Sequence, residues 1–170
     1  MKEKFVVLRK AIIGDLYKIM YVVDEVKEEM KKEGNDQFNE SYPSEDHFRE
    51  DIENGYLYVK GIGIDIAGVI CISNKEFSVS KDLNWSRKTP SIVFYRLIVN
   101  KLYRRRGIGQ DLVCLAENIS KMQGLNYVKG ATYEINDSML SLFDKLNYSF
   151  VGKAHVEGRK YPFHYYEKLL

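Results

Sequence analysis

One stretch of the chain constrains the fold more than any other: a strongly apolar strand that runs through a loop of arginines and glycines into an amphipathic helix. Residues 92–99 read Ile-Val-Phe-Tyr-Arg-Leu-Ile-Val, which is the strongest strand signal in the sequence. Residues 104–109 read Arg-Arg-Arg-Gly-Ile-Gly, and apolar residues then recur at helical spacing as far as Gln123. The pattern predicts a strand, a turn, and a helix over residues 109–123 that begins at the glycines.

The residue types in this loop are those that bind phosphate. Glycines let the backbone approach a ligand closely, and the N-terminus of a helix adds N–H donors and a partial positive charge. Arginine contributes forked donors that suit phosphate oxygens. The loop therefore predicts a seat for a phosphate or pyrophosphate. The alternative is a basic turn whose glycines serve backbone geometry alone.

Two better-known phosphate-binding patterns do not fit the loop. A Walker loop needs lysine followed by serine or threonine after its last glycine, whereas Gln110 and Asp111 follow Gly109 here. A dinucleotide fingerprint needs a third spaced glycine, which residues 107–112 lack. The loop is therefore neither a Walker loop nor a dinucleotide-binding loop.

Strands and helices alternate through the rest of the chain, with antiparallel hairpins at both ends. The other predicted elements are a strand over 5–9, a helix from 15 to 34, a short helix from 43–44, a hairpin of 56–62 and 64–73, a strand over 127–135, a short helix from 137, and two aromatic strands around 158–160. Residues 74–90 are polar and predict a long loop. The order predicts a mixed α/β protein.

Length and composition indicate one globular domain, spanning residues 1–170. The chain has 45% hydrophobic and 29% charged residues and contains no apolar run long enough to span a membrane. Its first residues lack the apolar stretch of a signal peptide, so a cytoplasmic location is predicted. Cys71 and Cys114 lie among apolar residues, as free thiols do, and the cysteines and histidines lack metal-ligand spacing, so no metal is predicted.

The net charge of +2 conceals an asymmetry between the two halves of the chain. Residues 1–85 carry 12 Lys and Arg against 17 Asp and Glu, whereas residues 86–170 carry 14 against 7. The basic half is therefore where an anion should bind. Binding of nucleic acid is not predicted, because three adjacent arginines and a pI near 8.4 fall short of what such domains carry.

Two motifs, in the expected order, resemble the GCN5-related N-acetyltransferase (GNAT) superfamily. Arg104-x-x-Gly107-x-Gly109 fits its Gln/Arg-x-x-Gly-x-Gly/Ala pattern between a strand and a long helix. Residues 136–148, Asn-Asp-Ser-Met-Leu-Ser-Leu-Phe-Asp-Lys-Leu-Asn-Tyr, resemble its downstream segment Asn-x-x-Ala-x-x-Leu-Tyr-Glu-Lys-x-Gly-Phe. The opening at residues 8–15 also looks like the first strand and turn of that family, so the resemblance covers nearly the whole chain.

The resemblance implies a fold and a co-substrate. The fold is an α/β (α+β) domain with a mixed, mostly antiparallel twisted sheet of about seven strands, flanked by about four helices and splayed between strands four and five. The co-substrate is acetyl-CoA. By position, the residues implied to bind it are Leu97, Ile98 and Val99 at the pantetheine arm, Arg104, Arg105, Arg106, Gly107, Ile108, Gly109 and Gln110 at the pyrophosphate, and Asn136 and Phe143 in the downstream segment.

The implied reaction is direct attack of an amine on the thioester. The carbonyl oxygen needs a hydrogen-bond donor, for which an N–H of strand four near Ile98 is the candidate, and the amine needs a base. An acid can protonate the leaving thiolate. Phe143 stands where the family usually has a tyrosine acid, and phenylalanine has no proton to give. Tyr133 and Tyr148 are the substitutes considered, and Glu134 is the nearest carboxylate for the base, although an ion pair at the rim of the site is the alternative reading of Glu134. An acyl-CoA-binding module without catalysis is the alternative function.

The sequence does not identify the acceptor of the acyl group. The resemblance implies that residues 33–42 and 74–90 border the acceptor site, because the equivalent regions vary with substrate in the family. The acidic first half would suit a cationic amine of a small molecule or a protein N-terminus. Pairing of edge strands in the aromatic C-terminal region could form a homodimer.

Overall fold

The protein folds around one seven-stranded sheet with helices on both faces. The computed structural model describes residues 5–78 and 83–170. The strands are β1 (Val6–Lys10), β2 (Leu57–Ile62), β3 (Asp65–Ser73), β4 (Ile92–Val99), β5 (Tyr127–Tyr133), β6 (Ser149–Ala154) and β7 (Phe163–Leu169). The helices are α1 (Leu16–Lys32), α2 (Glu45–Glu53), α3 (Ile108–Met122) and α4 (Asp137–Lys145), with single 3-10 turns at Ile13–Asp15 and Lys101–Tyr103.

The order of strands in the sheet is β1-β2-β3-β4-β5-β7-β6. Every neighbouring pair is antiparallel except β4 and β5, which are parallel and are joined by α3. A parallel pair needs a crossover connection, and the amphipathic helix predicted from the sequence provides it. The mixed, mostly antiparallel sheet with four flanking helices confirms the predicted fold class.

The parallel ladder between β4 and β5 is very short. Only three pairs form, from Ile92–Val128 to Phe94–Gly130. Directly after Phe94 the strand contains a bulge, because Arg96 and Leu97 together face one residue of β3, and Arg96 has a φ of 50°. A bulge bends and twists its strand, so β4 diverges from β5 and the two strands enclose a wedge. The splay expected between strands four and five is confirmed.

The helices bury their apolar stripes on opposite faces of the sheet. On one face, α1 and α2 cover β2 and β3 through residues such as Ile19, Val23 and Phe48, each with no exposed surface. On the other face, α3 and α4 pack through Leu112 and Phe143, which are 0% and 1% exposed. Fully burying a side chain of this size contributes about 1.5–3 kcal/mol. The site described below lies where these layers meet the wedge.

Polar side chains at the starts of α1 and α4 bond to nearby groups in different ways. Asp15 precedes α1 but does not cap it; its carboxylate accepts two bonds from Arg9, at 2.7 and 2.9 Å, and one from the N–H of Ile12. Asn136, rather than Asp137, caps α4, with its side chain accepting from the N–H of Met139. In both places an Asp or Asn side chain accepts a hydrogen bond from a nearby backbone N–H. Sequence spacing alone does not show which N–H group that is.

The apolar spacing that predicts α3 extends to Met122, but that residue is not buried. Met122 is 86% exposed, because α3 ends there and the chain turns away through Gly124. The buried stripe instead includes Ile108 and Val113. Ile108 packs against Gly68 of β3, where an added Cβ would come within 2.8 Å of the isoleucine Cγ2. The N-terminal turn of α3 is therefore held firmly on the sheet.

The described residues of the long segment 74–90 cover the sheet beyond the reach of α1. Phe77 and Trp85 stack at 6.4 Å, and both rings pack edge-on against Tyr165 of β7. Beneath them, the ammonium of Lys129 lies 4.3 Å from the centre of the Trp85 ring. The prediction that this segment is a loop is confirmed, and it forms part of the outer layer. Residues 79–82 of this loop, and residues 1–4, lie outside the described residues.

Within residues 5–78 and 83–170, no helix combines the length and the apolar character needed to cross a membrane. Both cysteines are free: Cys71 is buried in β3, and Cys114 is partly buried on α3. Burial raises the pKa of both thiols, so neither is a ready nucleophile.

Gly130, at the last β4–β5 pair, is expected to tolerate no side chain. A Cβ there would lie 2.6 Å from Cζ of Phe94 and 2.9 Å from Cε1 of Phe143, both rigid rings. Gly130→Ala should therefore lower the free energy of unfolding by about 1–3 kcal/mol, the usual cost of overpacking. Urea unfolding measures it, with Gly14→Ala as the control, since the nearest atom there is 3.9 Å away. Equal midpoints for the two variants would contradict this packing.

Candidate functional site

The wedge between β4 and β5 opens into a cavity of about 820 Å³. Its walls are the free edge of β4, the end of β5, the N-terminal turn of α3, the exposed side of α4 and the last turns of α1. Each wall comes from a different part of the chain, so the cavity exists only in the folded protein. A concave site of this size, with an apolar floor and a few polar groups, suits an extended ligand.

The inner wall is the unpaired edge of β4. Beyond Phe94, β4 is paired with β3 on one side only. Leu97, Ile98 and Val99, which the family resemblance implies to bind the pantetheine arm, line the cavity. An unpaired strand edge presents N–H and C=O groups to whatever lies beside it. An extended ligand with amide groups could therefore bind along β4 as an added strand.

The outer end of the cavity is the loop of arginines and glycines. Gly107 precedes α3 with a φ of 77° and carries no capping side chain, and Arg105 has a φ of 60°. The first N–H groups of α3 therefore lack a side-chain acceptor and lie beside the cavity wall formed by residues 107–110. These donors and the partial positive charge of the helix end suit an anion.

The three arginines of the loop occupy different positions. Arg104 and Arg105 line the cavity, whereas Arg106 does not. The guanidinium of Arg106 lies over the ring of Tyr103 at 5.5 Å. The predicted contact of Arg106 with a phosphate is therefore not supported, because its side chain turns to the aromatic ring behind the loop.

Arg104 is already paired. Its guanidinium donates two bonds to the carboxylate of Glu29 on α1, the first at 2.7 Å from Nη1 to Oε1. These bonds hold the pKa of Glu29 below its usual value and raise that of Arg104. One helical turn earlier, Lys101 pairs with Glu25 at 2.7 Å. Two ion pairs thus fasten α1 to the loop, and Arg104 is shared between Glu29 and any anion that binds.

The opposite wall is built around two amides. Asn136 lines the cavity as predicted, but its carbonyl oxygen is used as the cap of α4. Gln37, from the segment after α1, reaches β5, and its Oε1 accepts bonds from Thr132, Tyr133 and Asn136. This amide therefore joins the α1 side of the cavity to the β5 side.

A buried ion pair lies at the bulge of β4. Arg96 bonds to Asp51 of α2, and their side chains are 10% and 7% exposed. The guanidinium also donates to the hydroxyl of Tyr42 at 3.3 Å and lies 5.1 Å from the ring of Tyr95. Removing one partner would leave a buried charge, which typically costs several kcal/mol. β4 contains no carboxylate of its own. The carboxylate beside its bulge is that of Asp51 on α2, and Arg96 neutralises it.

The residues predicted for acid and base roles do not line the cavity. Tyr133 has no exposed surface and packs against Tyr161 and Phe163, and Tyr148 is 6% exposed in the core below α3. Burial raises the pKa of both hydroxyls. The carboxylate of Glu134 lies 3.6 Å from Nε2 of His164 on β7.

Phe143 is also a core residue. Its ring stacks on Tyr166 with centroids 4.2 Å apart and touches Phe94. The neighbouring positions Leu142 and Met139 line the cavity instead. The predicted contact of Phe143 with a cofactor is therefore not supported, because α4 turns this position inward under β5.

Some lining residues were not singled out from the sequence. The segment after α1 contributes Asn35, Gln37 and Phe38, together with Glu33 from its first position. They lie in the segment 33–42, which the family resemblance implies to border the acceptor site, but the sequence does not single out the individual residues. In contrast, no described residue of 74–90 lines the cavity. No sequence signal identifies Gln37, because its partners are about 95 residues away in the chain.

No group of three or more metal-ligating side chains lies together among residues 5–78 and 83–170. The tyrosine that lines the cavity is Tyr95 on β4, and its neighbours are Cys71 and Ser73. Burial, and then the nearby thiol, raise the pKa of its hydroxyl. The polar groups on the cavity wall therefore include backbone groups, amides, hydroxyls, two arginines of the loop and the carboxylates of Glu29 and Glu33.

Comparison with known proteins agrees with this geometry. Residues 23–148 match the sequence profile of the acetyltransferase (GNAT) family. An acetyltransferase of that family from Streptococcus agalactiae has a TM-score of 0.85 with 23% identity, over 97% of this chain and 95% of that one. A putative acetyltransferase from Staphylococcus aureus has a TM-score of 0.73 with 27% identity, over 96% and 98%. The putative acetyltransferase yncA from Salmonella typhimurium, solved with its cofactor acetyl-CoA, has a TM-score of 0.67 with 13% identity, over 97% and 94%. No curated protein matches the chain.

Glu29→Gln is expected to strengthen anion binding at the loop. The substitution removes a negative charge beside the anion and releases Arg104, and the two side chains are 39% and 40% exposed. Since exposed pairs contribute about 0.2–1 kcal/mol, affinity for inorganic pyrophosphate should rise roughly two- to fivefold. Calorimetry at low salt measures this. Glu25→Gln, which removes the same charge one turn away, should change little, and weaker binding by the Glu29 variant would contradict the sharing of Arg104.

Proposed function

The chain belongs to the acetyltransferase (GNAT) family, and from that premise we propose that it is an N-acetyltransferase. It transfers an acetyl group from acetyl-CoA to a primary amine of a small molecule or a protein N-terminus, by direct attack of the amine on the thioester. The observation that carries the proposal is that the free edge of β4 and the N-terminal turn of α3 open onto one cavity. That arrangement suits a ligand with amides at one end and a pyrophosphate at the other.

The residues present fit acetyl-CoA. The N–H groups of residues 107–110 and the guanidinium of Arg105 would hold the pyrophosphate. The backbone of Leu97, Ile98 and Val99 would bond to the amides of the pantetheine arm, as in strand addition. The cavity volume of about 820 Å³ accommodates such an arm. Acetyl-CoA, when bound, supplies an acyl group activated as a thioester.

The amine would enter from the α1 side. Glu33, near the end of α1, and Asn35 line that part of the cavity. Glu33 is exposed, so a carboxylate faces an incoming cationic amine at the entrance. Opposite charge favours the encounter and the orientation of the amine. The amine must lose its proton before attack, and water in the open cavity can carry that proton away.

Glu134→Gln tests whether that carboxylate is the base. Glu134 contacts His164 and does not line the cavity. The dependence of kcat/KM on pH should therefore be unchanged, with a rate within about twofold of the wild type, because a base must reach the amine directly or through one water. Loss of the acidic limb of the profile would instead restore Glu134 as the base. Tyr133 and Tyr148 stay predictions, to be checked as Phe variants in the same assay.

Binding and transfer can be tested separately. Calorimetry with acetyl-CoA measures binding, and release of free thiol in the presence of a panel of primary amines measures transfer. Gly107→Ala should weaken acetyl-CoA binding about tenfold, because the added methyl group would stand where the phosphate approaches and would weaken a charge-assisted hydrogen bond. Gly124→Ala is the matched control: its φ of 70° is close to the 77° of Gly107, and neither has an atom within 4 Å of an added Cβ.

The outcomes separate the two candidate functions. Binding together with amine-dependent thiol release supports the acetyltransferase. Binding without thiol release from any amine favours an acyl-CoA-binding module, which the position of Phe143, Tyr133 and Tyr148 in the core makes the second candidate. No heat with acetyl-CoA or CoA would overturn both.

A further inference from the structure

The splay of β4 and β5 creates a problem that Gln37 solves. A strand that leaves its neighbour exposes backbone N–H groups, and a buried N–H without an acceptor is costly. Three residues past the last β4–β5 pair, the N–H of Tyr133 donates to Oε1 of Gln37 at 3.2 Å. The same oxygen accepts from Oγ1 of Thr132 at 3.1 Å and from Nδ2 of Asn136 at 3.4 Å. Gln37 therefore replaces β4 as the acceptor for the open edge of β5.

These partners determine the orientation of the amide. A backbone N–H can only donate, so the atom of Gln37 that faces Tyr133 must be the carbonyl oxygen. The amide nitrogen, Nε2, is then directed away from β5. Among residues 5–78 and 83–170, Nε2 has no hydrogen-bond partner, and the Gln37 side chain lines the cavity. A donor without a protein acceptor is thus presented to the cleft.

The backbone of Gln37 is held as firmly as its side chain. Its N–H donates to Oδ1 of Asn35 at 3.0 Å. Nη1 of Arg159 donates to the carbonyl oxygens of Asp36 and Gln37, both at 3.2 Å. The ring of Tyr42 lies 5.2 Å from the Arg159 guanidinium. A donor fixed in this way needs little reorganisation when charge develops beside it.

The level of Gln37 along the wedge is also informative. It binds β5 at Tyr133, three positions past Gly130. On β4, Arg96 and Leu97 share one position at the bulge, so the residue three positions past Phe94 is Ile98. Ile98 belongs to the free edge proposed to hold the pantetheine arm. Gln37 and that edge therefore line the same part of the cleft, between the last β4–β5 pair and the loop of arginines and glycines.

We propose that Gln37 is a catalytic residue whose Nε2–H donates a hydrogen bond to the carbonyl oxygen of the thioester. The proposal rests on the proposed function. As the amine nitrogen bonds to the carbonyl carbon, the π electron pair moves onto that oxygen. When the C–S bond breaks, the pair returns to the carbonyl, the thiolate leaves with the bonding electrons, and the proton of the amine passes to water. The Nε2 donor stabilises the oxygen while it is negative.

Two substitutions separate the donor from the anchor. Gln37→Glu keeps an oxygen that accepts from Tyr133, Thr132 and Asn136 but replaces the donor with an acceptor. Gln37→Met removes both. Gln123→Glu, at the exposed end of α3, controls for an added charge.

The first readout does not depend on turnover. With acetyl-CoA labelled with ¹³C at the carbonyl, the C=O stretching frequency of the bound thioester should be lower than that of free acetyl-CoA in the wild type. It should return toward the free value in both Gln37 variants and stay lowered in Gln123→Glu. An identical frequency in wild type and Gln37→Glu would overturn the proposal, even if the protein transfers no acetyl group.

The second readout is kinetic. Gln37→Glu should lower kcat about 100-fold, the loss typical for one oxyanion donor, while KM for acetyl-CoA changes less than about threefold. Gln37→Met should lose thermal stability as well, because the amides of β5 lose their acceptor. An unchanged kcat in Gln37→Glu would overturn the catalytic role. Binding of acetyl-CoA without transfer in the wild type would refute the proposed function alone, since the carbonyl frequency still decides the role of Gln37.

Discussion

The structure depends on the point where β4 and β5 stop pairing. Three parallel pairs, closed by the contact of Gly130 with Phe94 and Phe143, hold the two halves of the sheet together. The bulge at Arg96 then turns β4 away. The cavity, its open strand edge and the position of the loop of arginines and glycines all follow from this short ladder.

Opening a sheet has a cost that the rest of the fold offsets. The edge of β5 is satisfied by Gln37, and the diverging part of β4 is supported by Arg96, which bonds to Asp51 of α2. Both partners come from the acidic first half of the chain. The same holds at the loop, where Glu29 of α1 binds Arg104. Among the described residues, four ion pairs join carboxylates of the acidic first half to cations of the second half, and those of Glu25 and Glu29 hold α1 beside the loop.

How well sequence patterns predicted the site depended on the range of the interactions involved. β4 and the loop after it were predicted nearly residue by residue, because strand alternation, glycine turns and helical periodicity are local properties. Arg106 and Phe143 lie within the two motifs, yet Arg106 turns to an aromatic ring and Phe143 into the core. Which way a side chain faces is decided by its neighbours in space.

The sequence by itself determined the order of elements and, through its family resemblance, the mostly antiparallel sheet; the phosphate site at the N-terminus of α3 stays a prediction. Only the tertiary structure decided that Glu29 bonds to Arg104, that the carboxylate of Asp51 lies beside β4, and that Gln37 binds the edge of β5 and lines the cavity. Hydrophobic periodicity and turn-forming residues are local patterns that span only a few positions of the chain. A hydrogen bond between Gln37 and Tyr133 joins positions 96 residues apart, and it exists only because an open strand edge requires an acceptor.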